Sequence, residues 1–231
     1  MSHSFEPSDF EGHPTHKEDW QAYETLGGPS SPATVLKLKR ETTPGKFWNK
    51  EGDRITVLSP SSALIEHAHY KKDGSKRAPD AVEIDEMSYA LAIQVNKRTV
   101  VLAGDGRATP TWDNIYENCK STLKNCYVLK AGHHGHECSF HEEAVELMNP
   151  VVIVLSNSEE ENKSHGAEKE YKQACPDALI CKTWEGTVIV QVPFDSGAAL
   201  LRHRLTTISS SHNIPRFPSE LLDYSEMASF G

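Results

Sequence analysis

The stretch VLKAGHHGHECS, residues 128–139, sets three histidines and a cysteine just beyond an apolar run. Two other apolar runs end in similar company. VVLAGD closes on Asp105, and VVIVLS leads into NSEEENKSHG, which carries His165. Imidazole and carboxylate are ligands that zinc and manganese accept. A divalent ion held by them lowers the pKa of a bound water to about 7, which makes hydrolysis feasible at neutral pH. Asp105, His133, His134 and His165 are therefore the candidate site residues. Gly132 and Gly135 flank the histidine doublet and let the backbone bend there.

Each feature also has an ordinary reading. An aspartate after a strand and a glycine is commonly a turn residue. His165 alone could be a surface side chain. Ser139 near His141 could mark a nucleophile and its base, yet no acid completes a triad. Ser139 also stands three residues before Glu142, the spacing of a helix capping box.

The elements around these residues alternate. RITVLSP (54–60) reads as a strand stopped by Pro60, and ATVLKLKR (33–40) as an earlier one. SYALAIQV (88–95) and RTVVLAGD (98–105) are β-prone runs separated by two residues, which predicts a hairpin. A helix is expected over 111–124, capped by Thr109 or Thr111. A strand over 126–132, a helix over 139–149 and a strand over 151–156 come next. Then follow a helix over 167–175 and two strands, 178–183 and 187–192, joined by WEG. ALIEHAHYKKDGSKRAPDAVEIDE reads as a polar stretch, and the acidic run at 159–161 as a loop. The strands near residues 100, 128 and 152 are almost wholly apolar, as expected where both faces are covered. The fold class is α/β, a layered domain with ligands gathering at the carboxyl ends of its strands. Residues 1–32 are a polar segment, 33–194 the domain, and 195–231 a tail.

Composition narrows the function classes. The chain has 231 residues, of which 37% are hydrophobic, and a net charge of −9. That acidity makes a poor general binder of polyanions, although bound cations could still admit a nucleic-acid-derived substrate. The five cysteines form no CxxC pair, which argues against a disulfide framework and for free thiols. The N-terminus has no signal-peptide-like run, and no stretch approaches a membrane span. The expectation is a cytoplasmic protein with no membrane segment.

Taken together, LAGD, YVLKAGHHG, a helix ending in NP, VVIVLSNSEEENKSHG and CKTWEGTVIV resemble the C-terminal half of metallo-β-lactamase-fold domains. The subgroup most similar is the ComEC-type, with its strand ending in GD, its LK-x-x-HHGS and its N-x-x-GH loop. The likeness covers about residues 33–193. It implies a partial αββα sandwich holding one or two zinc or manganese ions. It implies hydrolysis of a phosphodiester or another ester by metal-activated water. By the same resemblance Asp105 maps to the metal-bridging aspartate and His133 or His134 to a ligand. The other imidazole would touch substrate or act as an acid, and His165 would contact substrate. Asp85 falls where relatives have Asn or His.

The sequence departs from that family in its first half. No H-x-H-x-D-H motif is present. GHPTHKEDW (12–20) resembles an eroded form of it, which leaves His13 and His16 as candidate ligands and Trp20 in place of the last histidine. HAHY (67–70) reads as a solvated loop. His136 replaces the serine of HHGS. Missing early strands would expose a sheet edge, so a homo-oligomer or a protein partner is expected to cover it. The competing expectation is a catalytically inactive, half-size relative that acts as a protein-interaction module.

Overall fold

The computed structural model describes residues 25, 38–41, 49–50, 53–71, 73–77, 83–95, 97–192 and 200–204. Seven strands form one mixed sheet in chain order. They are β1 (Asn49–Lys50), β2 (Asp53–Ser59), β3 (Ala90–Val95), β4 (Arg98–Leu102), β5 (Cys126–Lys130), β6 (Val152–Leu155) and β7 (Leu179–Lys182). From β1 to β4 neighbours run antiparallel, and from β4 to β7 they run parallel. The expected hairpin is β3–β4, which closes on the pair Val95↔Arg98.

Alternation along the strands sorts side chains onto two faces. Val101, Leu129, Ile153 and Leu155 face one way. They pack with Ile115 and Leu123 of α2 (Asp113–Leu123), Val145 and Met148 of α3 (Glu142–Met148), and Tyr171 of α5 (Glu168–Ala174). On the other face lie Val128, Val152 and Cys181. Val188 and Val190 of β8 (Thr187–Gln191) pack against them. β8 pairs antiparallel with β9 (Leu200–Arg204) as a two-stranded sheet. The described layers are thus helices, a seven-stranded sheet and a two-stranded sheet. Ile189, between those two inward valines, is 44% exposed. No helix among the described residues is long and apolar enough to cross a membrane.

All five cysteines are free thiols. Four are buried among apolar side chains, and burial pushes the Cys126 thiol up to about 12.

Several local expectations are corrected. The polar stretch after Pro60 begins with a helix, α1 (Ser62–His69), in which the Ser61 hydroxyl accepts from the Leu64 amide. Its Leu64 and Ala68, four residues apart, are buried. The acidic run at 159–161 opens another helix, α4 (Glu159–His165), capped by Ser158. Three carboxylates suit a helix N-terminus, where the backbone dipole is positive. The strands expected either side of WEG both form, but β7 joins the large sheet and β8 the small one. β9 lies inside the span read as a tail. Of the strand expected over 33–40, residues 33–37 lie outside the described residues, and Arg40–Glu41 form a turn whose Arg40 amide donates to the Pro60 carbonyl at 2.7 Å.

Candidate metal centre

Parallel strands β4, β5 and β6 end side by side, so the segments leaving them meet at one rim. The β4 exit is Ala103-Gly104-Asp105, the β5 exit is Ala131 to Gly135, and the β6 exit is Ser156.

Gly104 has φ +64°, and a Cβ there would come within 2.4 Å of the Tyr89 carbonyl oxygen. Only glycine fits that close passage. The amide of Asp105 then donates to the Ser88 hydroxyl at 3.0 Å. These two constraints fix the backbone that carries the carboxylate. Lys130, at the end of β5, is half-buried. Burial lowers its ammonium pKa, while the negative charge of Asp105 opposes that shift.

The β5 exit is the unusual piece of backbone. His133 (φ 44°, ψ 50°) and His134 (φ 63°, ψ 5°) are both left-handed, and Gly135 follows at φ +100°. Left-handed backbone costs an L-residue roughly 1–2 kcal/mol. Three hydrogen bonds hold the turn in this state. The His133 amide donates to the Gly104 carbonyl at 2.8 Å. The Ser156 amide donates to the His134 carbonyl at 3.1 Å, and the Ala167 amide to the Gly135 carbonyl at 2.9 Å. The turn is tied to the β4 exit, the β6 exit and the start of α5 at once.

This backbone sends the two imidazoles to different partners. His134 Nε2 lies 3.9 Å from Asp105 Oδ1, and its Nδ1 lies 3.3 Å from the Ser156 hydroxyl. His133 instead places Nδ1 3.3 Å from Cys138 Sγ and stacks on His136, with ring centroids 4.9 Å apart and planes 19° off parallel. His136 Nε2 meets the Glu161 carboxylate at 3.3 Å. The His165 ring is 6.0 Å from that of His136, and the His165 side chain is exposed at the end of α4.

Burial holds the His136 imidazole below its ordinary pKa, reinforced by the positive charge of neighbouring His133 and opposed by Glu161. Partial burial raises the Cys138 thiol, with Arg107 pulling the other way. Cys138 is therefore held as the neutral thiol, a poor free nucleophile.

The sequence-predicted residues divide into groups. Asp105 and His134 are brought together. His133 and His165 sit at the same rim but cluster with His136. His13 and His16 lie outside the described residues. The HAHY histidines lie on α1 and have structural partners: His67 Nδ1 meets Glu86 at 2.7 Å, and His69 Nδ1 meets the Ile65 carbonyl at 2.8 Å. Sequence reasoning passed over Cys138, Glu161 and Lys130. The His133-x-x-His136-x-Cys138 spacing was the signal available for the first.

Ser139 is no helix cap. Its hydroxyl donates to the Gly106 carbonyl, and the α3 N-terminus is capped by His141, whose Nδ1 accepts from the Ala144 amide at 3.2 Å. The His141 Nε2 sits 3.0 Å from Asp113 Oδ1. Neither Thr109 nor Thr111 caps α2 through its side chain, although the Thr109 hydroxyl donates to Asp113 at 2.8 Å. Neither a protein-family model nor a curated protein sequence matches the chain.

Proposed function

We propose that the rim above β4, β5 and β6 is a hydrolytic centre for phosphodiesters or other esters, of the metallo-β-lactamase kind. The observation that supports it most is the 3.9 Å approach of His134 Nε2 to Asp105 Oδ1, from two strand exits 29 positions apart. A carboxylate and an imidazole on a rigid strand rim are donors that suit one or two zinc or manganese ions. When bound, such an ion supplies a water of lowered pKa.

The chain's own residues have the following parts in this reading. Asp105 ligates, with its backbone fixed by Gly104 and Ser88. His134 faces the reacting group through Nε2, while Ser156 orients the ring through Nδ1. His165, exposed on α4, reaches the substrate from the side. A catalytic zinc takes three protein ligands, so Asp105 needs company. His13 and His16 are the candidates from the N-terminal segment.

The test is turnover of bis(p-nitrophenyl) phosphate and p-nitrophenyl acetate by chelated protein resupplied with zinc or manganese. Hydrolysis that disappears in Asp105→Ala supports the reading. No turnover with either ion overturns it.

A second reading draws on the surface. Among the described residues β7 is the last strand of the large sheet, Leu179 on it is 38% exposed, and Ile189 on β8 is more so. Under that reading the protein is an inactive relative that pairs with a second copy. Light scattering at micromolar concentration decides it: a monomer removes this reading.

A further inference from the structure

Beside the Asp105–His134 pair lies a second group of donors. The ligand atoms of His133, His136 and Cys138 all fall within 4.8 Å of one another. Zinc binds imidazole nitrogen at about 2.0–2.1 Å and thiolate sulfur at about 2.3 Å in a tetrahedron, which places neighbouring ligand atoms about 3.3–3.6 Å apart. The Cys138 Sγ to His133 Nδ1 distance, 3.3 Å, already matches such an edge. The remaining separations, at most 4.8 Å, need to close by up to about 1.5 Å. Cys138 is exposed, and its sulfur already lies against the His133 ring.

We propose that His133, His136 and Cys138 form a zinc site with two imidazoles and one thiolate, separate from the Asp105–His134 pair. The inference goes beyond the hydrolytic reading and does not depend on it.

Three features of the structure support the proposal. The first is the left-handed backbone at His133, which turns this ring away from the partner of His134 and toward Cys138. A strained, tightly fastened turn is a common mark of a site where side-chain placement matters. The second is Glu161. A carboxylate against one nitrogen of a histidine orients the ring and raises its basicity as a ligand, which leaves Nδ1 of His136 as the other donor. The third is the short span of the group. His133, His136 and Cys138 lie within six residues, joined by the left-handed turn at His133–His134 and a single-turn 3₁₀ segment, Glu137–Ser139. The isolated bridge between His136 and Gly166 fastens the middle of this span to the start of α5.

The donor set also sets the preference among ions. Thiolate selects zinc and cuprous copper over magnesium, calcium and manganese, which prefer oxygen. Three protein ligands leave a fourth position for water or for His165. Binding releases the Cys138 proton to solvent, since the thiolate is the ligand.

Cobalt(II) reads this site directly, because a cobalt–thiolate bond gives a near-ultraviolet charge-transfer band that imidazole and carboxylate ligands do not. The full chain, stripped by a chelator, is titrated with cobalt(II). The expected result is a band that saturates near one equivalent and is bleached by zinc. Cys138→Ser should abolish the band, and His133→Ala should abolish or strongly weaken it. Asp105→Ala and His134→Ala should leave it intact. Cys138 and Asp105 are both partly exposed, so these variants keep the fold, and circular dichroism verifies it. No band, or a band untouched by Cys138→Ser, overturns the proposal. A band lost equally in Asp105→Ala overturns the separation of the two sites. Hydrolysis is not read in this experiment, so an inactive protein with a normal band removes only the hydrolytic reading.

Discussion

His134 Nε2 lies 3.9 Å from Asp105 Oδ1, whereas His133, its neighbour in sequence, turns to Cys138. Two adjacent left-handed residues produce this division. Successive side chains on such backbone leave in different directions, so one histidine doublet serves two clusters. The strand exits beneath them stay fixed, because each is hydrogen-bonded to its neighbour.

On the hydrolytic reading proposed above, removal of either member of the Asp105–His134 pair should act on turnover without unfolding the chain. Both side chains are roughly half exposed. Asp105→Ala and His134→Ala are each expected to lower metal-dependent phosphodiester turnover by about 100-fold or more. Thermal midpoints should move by no more than about 2 °C, as for surface substitutions away from core and caps. Steady-state rates at saturating zinc, with melting curves alongside, check both halves of the statement.

Gly135→Ala should do the reverse, damaging the scaffold. Gly135 has φ +100°, and an added Cβ would sit 2.8 Å from Leu155 Cδ2, a fully buried side chain. Strain and overpacking together should cost about 2–4 kcal/mol. Urea denaturation measures this loss. An unchanged midpoint would show that the turn relaxes freely and that the left-handed run is not enforced.

The sequence carried the sheet and the rim because both follow from simple patterns. β4, β5 and β6 are covered on both faces, so they read as unbroken apolar runs, and whatever follows them stands at the strand ends. Asp105 and the histidine doublet were legible on that ground alone. The choice between His133 and His134 as the partner of Asp105 was not, since it depends on a φ sign that no residue pattern encodes. α1 escaped notice because its buried face is only Leu64 and Ala68, with Glu66, His67 and His69 between and beside them. β9 escaped because LLRHR gains meaning only from its pairing with β8.

Glu86 gives a pH dependence whose sign is fixed by burial. Its side chain is 5% exposed, and burial raises its pKa above the ordinary 4.5. His67, hydrogen-bonded at 2.7 Å, opposes the shift, as does Arg77, while Glu83 adds to it. The folded state therefore binds this proton more tightly than the unfolded chain does. The stabilisation is complete below pH 4.5 and is lost as pH rises through the raised folded value. Glu86→Gln lacks this titration. Wild-type stability, measured against Glu86→Gln by urea midpoints, should fall as pH rises from 4 to 7. A difference that stays level across that range, or that grows in favour of the wild type, contradicts the assignment.

His141 replaces the expected serine as the cap of α3, and this exchange can be tested with four variants. Its Nδ1 accepts from the Ala144 amide while its Nε2 lies 3.0 Å from Asp113 at the start of α2, so one ring joins two helix N-termini. Loss of a side-chain cap costs about 1 kcal/mol, and a second broken contact adds to it. His141→Ala should therefore destabilise the chain by about 1–3 kcal/mol. His141→Asn can restore the cap but is too short to reach Asp113, so it should recover only part of that loss. Ser139→Ala should also destabilise, but by a different route: it leaves the Gly106 carbonyl without its buried donor. The hydroxyl and the imidazole share no hydrogen-bond partner, so the double variant should be less stable than His141→Ala alone. Urea denaturation of the four proteins measures it, and a double variant no worse than His141→Ala alone would return Ser139 to a role in the same cap.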